Sequence, residues 1–222
     1  MEPERQVRLI DENGQQYGVK HVSNCPSVYN SALNIDGITN SLKTIDYSHH
    51  EVHEGNSFTV HFDNTTADDD DHRSVIAFTT PAGTKLGHLI MTVSASSPAE
   101  VFILEGPATV DLGEGTEVTI FNRNRNSDNT SMMLSLEDPA VAGLATTFTE
   151  AQIAGASLTG GTAIEHTVLV GGGGPKAVGG LSRGTEEWIL GAGTTYLFYL
   201  QNIGTNANYH TINLDWYEHT SL

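Results

Sequence analysis

From Ser57 onward the chain breaks into short runs of alternating apolar and polar residues, each closed by a turn. Phe58, Val60 and Phe62 alternate with Thr59 and His61, the period-2 signature of a half-buried strand. The same pattern predicts strands over residues 74–79, 88–93, 100–105, 117–121, 132–136, 144–149, 164–170, 186–190, 195–200 and 209–217. In the last of these Ile212, Leu214 and Trp216 alternate with Thr211, Asn213, Asp215 and Tyr217. Residues 152–154 read as a turn of helix within an ambiguous stretch, 138–163. Turn signals separate the runs, among them Thr80-Pro81-Ala82-Gly83 and Gly191-Ala192-Gly193-Thr194. Short strands at this spacing predict an all-β fold, an antiparallel β-sandwich and most simply a jelly roll.

Before the strands the pattern fails. Residues 1–44 scatter Val, Leu and Ile among Asn, Ser, Gln and Gly with neither period, apart from a short strand over residues 7–10. Two readings stand: an extended N-terminal arm that packs on a neighbouring subunit, or a poorly ordered terminus. The expected organisation is an arm over 1–44 and a sandwich domain over 45–222.

Composition supports that picture. Hydrophobic residues make up 38% of 222, enough for one core, and the 23 glycines sit largely at turns. The net charge of −17 disfavours nucleic acid and anionic membrane surfaces, which are bound through Lys and Arg. Such a charge keeps a protein soluble when many copies are crowded together. Cys25 is the single cysteine, so neither an intrachain disulfide nor a paired-cysteine zinc motif is possible. No signal peptide or membrane-length apolar run is evident, and synthesis in the cytoplasm is expected.

Candidate chemistry concentrates in residues 45–62, which hold four of the ten histidines. His49, His50, His53 and His61, with Glu51 and Glu54, are residue types that bind Zn, Fe or Mn. On a strand, His49, Glu51 and His53 would share a face. A cupin-like metal-binding protein is therefore one reading, although the His-x-His pair and second motif of cupins have no counterpart. Histidines hydrogen-bonded at a subunit contact are the commoner case, and no metal or cofactor is expected. Asp68, Asp69, Asp70 and Asp71 lack calcium-loop spacing and read as a solvated acidic loop or an electrostatic docking element. Arg123 and Arg125, in an Asn-rich loop, either hold carboxylates across an interface or face solvent. Gly171–Gly174 lacks the Gly-Lys-Ser/Thr ending of a phosphate loop, and no Gly-x-Ser-x-Gly elbow occurs. Trp188, Tyr196, Phe198 and Trp216 could form a sugar platform, but their strand alternation favours core packing.

Several stretches occur in an order that resembles a family of small structural proteins of tailed bacteriophages. They are Ile45-Asp46-Tyr47-Ser48-His49-His50-Glu51-Val52-His53-Glu54-Gly55, Asn122-Arg123-Asn124-Arg125-Asn126-Ser127, Arg183-Gly184 before Glu187-Trp188-Ile189-Leu190, and Trp216-Tyr217-Glu218-His219. The resemblance runs from residue 45 to the end. It implies a virion component on the capsid exterior, supplies no catalytic residues, and leaves head against tail open; the expected role is a capsid decoration or cement protein that stabilises the head. Its implied partners are the major capsid protein, other virion proteins and further copies of itself, with a trimer favoured. A tail or head-fibre protein binding host carbohydrate is the rival in the same setting. Within this reading His49, His50, His53, Arg123, Arg125 and Asp68 to Asp71 are interface residues.

Overall fold

The computed structural model describes residues 7–10, 16–19, 47–67, 72–106, 112–153, 161–170, 176–179 and 187–220. The chain divides into two compact units, Met1–Ile45 and Asp46–Leu222. In the first, β1 (Val7–Ile10) pairs antiparallel with β2 (Gln16–Val19). The remainder of the expected arm lies outside the described residues.

The second unit is a sandwich of two antiparallel sheets. It opens on a short helix, α1 (Tyr47–His53), followed by β3 (Ser57–Ala67), β4 (Arg73–Thr79), β5 (Lys85–Ala95), β6 (Ala99–Glu105), β7 (Thr116–Thr119) and β8 (Phe121–Asn122). Then come β9 (Leu144–Thr149), α2 (Glu150–Ile153), β10 (Thr162–Leu169), β11 (Lys176–Gly179), β12 (Trp188–Ile189), β13 (Thr195–Asn202) and β14 (Asn208–Thr220). One sheet has the order β11-β5-β14-β3-β8, with β12 also on β5. The other has the order β10-β6-β13-β4-β9-β7. The chain crosses repeatedly between the sheets, so few sequence neighbours are sheet neighbours.

Alternation explains the core. Along β14 the residues His210, Ile212, Leu214, Trp216 and Glu218 are buried between the sheets, while Thr211, Asn213 and Asp215 lie on the outer face. Ile212, Leu214 and Trp216 join Phe58, Val60, Ile76, Phe78, Leu89, Val101, Ile103, Phe198 and Leu200 in the main cluster. The second sheet is also covered on its far side, where Ile153 of α2 packs with Val75, Ala77, Leu104, Phe148, Leu197 and Tyr199. Burial on both faces accounts for the unbroken apolar run in β4.

Two expected strands differ. The run 117–121 is divided: β7 pairs with β9 in one sheet, β8 pairs with β3 in the other, and buried Ile120 carries the chain across. The run 132–136 is not a strand but forms isolated bridges from Leu134 to Thr79 and Ala142. Leu134 N donates to Thr79 O, and side chains take three of the other amides. Met132 N donates to Glu218, Met133 N to Ser131 Oγ, and Leu136 N to Thr146 Oγ1.

Candidate functional site

The histidine-rich stretch is helical, which corrects the strand geometry considered for His49, Glu51 and His53. Seven residues make a poor helix alone, so its ends must be held. Gly55 adopts φ 74°, and two bonds close the turn: Asn56 N to Glu51 O at 2.9 Å and Gly55 N to Val52 O at 3.1 Å. This is a Schellman terminus, whose left-handed position favours glycine.

Helical spacing sorts the side chains. His49 and His53, four residues apart and both exposed, bring their Nε2 atoms to 3.0 Å with the rings at 86°. Glu51 turns inward and is buried, accepting a bond from Asn56 Nδ2 at 3.0 Å. The Tyr47 hydroxyl also bonds Glu51; desolvation and then this carboxylate raise its pKa above the ordinary phenol value. His50 lies apart from the His49–His53 pair, with Nδ1 3.6 Å from Glu51 and Nε2 3.8 Å from Glu54. His61 is elsewhere, exposed on the outer face of β3 opposite Asn213.

The Asn-rich loop 122–129 grips the helix end from far along the chain. Asn124 Nδ2 donates to His53 O at 2.9 Å, and Asn122 Nδ2 donates to Gly55 O at 2.8 Å. Asn129 Nδ2 reaches Glu54 O and Gly55 O, both at 3.3 Å. These amides satisfy carbonyls that a helix terminus leaves without intrahelical partners. The loop braces itself through Asn122 Oδ1, which accepts from Asn124 N at 2.8 Å. Arg125 sits 5.6 Å over the Phe121 ring, a cation–π contact, and Arg123 is exposed.

The end of β14 completes the assembly. Asn56 O accepts from Glu218 N, and the wholly buried Glu218 carboxylate gathers Ser131 Oγ at 2.6 Å, Trp216 Nε1 at 2.9 Å and Met132 N at 3.1 Å. Lys85 Nζ lies 3.6 Å away. On the outer face Tyr217 stacks on His88 at 4.7 Å, and the Tyr47 ring meets Tyr217 and His219 edge-on at 5.7 and 5.6 Å. Glu187 accepts from the Tyr217 hydroxyl at 3.1 Å and pairs with His88 Nδ1 at 3.2 Å.

His49, His50, His53, His88 and His219 therefore collect at one end of the sandwich with the Asn–Arg loop and the closing Trp-Tyr-Glu-His. Among the described residues no group of three or more His, Cys, Asp or Glu converges as a metal site. Asp68 to Asp71 and Gly171–Gly174 lie outside the described residues. Trp216, Tyr196 and Phe198 are buried and Trp188 packs against the core, as alternation suggested. Sequence reasoning missed His88, Glu187, Glu218 and the bracing asparagines. One signal was available: Glu218 occupies the inward parity of an otherwise apolar strand face.

A second polar cluster lies at the opposite end of β14. Asn64 Nδ2 donates to Ser74 Oγ at 2.9 Å and contacts His72 Nε2 at 3.2 Å; Ser74 Oγ bonds His210 Nδ1 at 2.9 Å. All four residues are buried, and His210 Nε2 has no hydrogen-bond partner among the described residues. Burial first, and the nearby His72 charge second, push the His210 pKa down from 6.5 to about 4.

Comparison with protein-family models, curated proteins and solved structures found no match for this chain.

Proposed function

We propose that this chain is a non-enzymatic structural component of a tailed-phage virion, a capsid decoration protein that braces the head from outside as a homo-oligomer, a trimer being favoured. One observation carries the reading. The histidine-rich helix, the Asn–Arg loop and the closing Trp-Tyr-Glu-His, three of the stretches on which the phage resemblance rests, are distant in sequence and meet at one end of the sandwich. Their polar groups are spent largely on holding that end rigid. A fixed surface of exposed imidazole, Arg123 and Tyr47 suits a docking face better than a cleft for chemistry.

In this role the acidic surface keeps free copies soluble, and Asp68 to Asp71 and Arg123 supply charge for docking on the major capsid protein. Binding at many symmetric sites turns modest affinity per copy into large avidity. Residues 1–44 serve as a clamp exchanged between copies, and their deletion lowers the oligomeric state. The test is cosedimentation of purified chain with capsids lacking it. Saturable binding, weakened when Asp68 to Asp71 are replaced by Asn, is expected. A chain that stays in the supernatant at every concentration rules the proposal out.

A further inference from the structure

We propose that His49 and His53 form a two-imidazole clamp for a divalent transition-metal ion of the zinc, copper or nickel class. The inference goes beyond the virion reading and does not depend on it. The argument begins with geometry. Two ring nitrogens each about 2.0–2.1 Å from one ion stand roughly 2.9–3.4 Å apart for angles between square and tetrahedral. The two Nε2 atoms are 3.0 Å apart, with rings nearly perpendicular at 86°. An ion therefore fits with small adjustment of two exposed side chains.

Without metal, the same distance is a hydrogen bond from one Nε2–H to the other Nε2. With metal, each ring carries its proton on Nδ1 and presents the Nε2 lone pair, so binding exchanges a tautomer and leaves both rings neutral. Imidazole selects this metal class over calcium and magnesium, which prefer oxygen. The net charge of −17 favours any cation near the surface.

The clamp is held ready by its surroundings. His53 lies in the last turn of α1, where Asn124 Nδ2 fixes its carbonyl at 2.9 Å and Gly55 closes the helix. The spacing His49-x-x-x-His53 is that of two zinc ligands on one helix face. It is not a metalloprotease motif: Glu51 stands two residues after His49 rather than one, and it is buried against Asn56 and Tyr47. His50, 3.8 Å from Glu54, stands apart. The ion's other positions are left to water or to a ligand from another molecule.

The test uses the full chain without an affinity tag. Isothermal titration with Zn²⁺ and with Ni²⁺ is expected to give one site per chain. His49→Ala and His53→Ala should each weaken binding at least about tenfold, since even an outer-shell substitution costs about that much. His50→Ala should leave it unchanged. Circular dichroism melting checks that the variants remain folded, and His49→Gln gives a second, milder replacement. Nitrogen NMR supplies an independent readout, with Zn²⁺ shifting Nε2 of His49 and His53 together. Absence of binding by the wild-type chain overturns the proposal, as does equal loss in His50→Ala or full binding by the folded double variant.

Discussion

Acidification should weaken this protein through one buried imidazole, His210, by an amount the structure sets. The residue is 1% exposed and bonded through Nδ1 to Ser74 Oγ, which itself accepts from Asn64. Charging the ring puts a second proton inside the core, where burial and the neighbouring His72 oppose it. The folded pKa is accordingly about 4 against 6.5 for the free group. At neutral pH neither state holds the extra proton, and the contribution to stability is intact. As pH falls below 6.5 the unfolded chain takes up a proton that the folded chain refuses, and stability declines until about pH 4, where the folded form also protonates. At about 1.4 kcal/mol per pH unit the loss over that window is roughly 3 kcal/mol. Urea denaturation from neutrality down to about pH 4 measures it, with His210→Gln as reference to cancel other titrating groups. The wild-type stability should fall more steeply than the variant's by about that amount. His72→Gln should reduce the difference only in part, since burial is the larger cause. Parallel pH profiles for wild type and His210→Gln would refute the reasoning.

Three further outcomes test how the α1 end of the sandwich is held together. Glu218→Gln puts an amide nitrogen against buried donors and removes the partner of Lys85; a loss of about 2–4 kcal/mol in urea denaturation is expected. Gly55→Ala strains a φ of 74° and sets a Cβ 2.7 Å from Ser127 Cβ, costing about 2 kcal/mol by the same assay. Asn122→Ala removes bonds to Gly55 O and Asn129 O and the acceptor of Asn124 N, so about 2 kcal/mol should be lost; hydrogen exchange in residues 47–56 should rise more than elsewhere.

The sandwich was legible because strands such as β14 alternate through their middle, with Ile212, Leu214 and Trp216 inward and Thr211, Asn213 and Asp215 outward. The two misread runs show where that signal ends. Residues 132–136 are as apolar as a strand, but Ser131, Ser135, Thr146 and Glu218 capture the backbone donors or brace the run from the side. The run 117–121 hides a crossing at Ile120, since alternation does not reveal which sheet a residue joins. The helix Tyr47–His53 is too short to display a period. Its stop signal, Gly55 directly after a histidine- and glutamate-rich turn, was present in the sequence. Glu51 resembled a ligand beside three histidines and became a buried acceptor once helical spacing turned it inward. The meeting of α1 with the Asn loop and β14 was beyond reach, because it depends on long-range pairing of β14 with β3 and of β3 with β8.

The proposed location on a virion head is tested most directly by an electron cryomicroscopy map of particles purified from the source of this chain. The account predicts symmetric β-sandwich density on the head exterior, with the α1 end against the capsid lattice. Particles that lack the chain, or hold it only in the tail, would contradict the account.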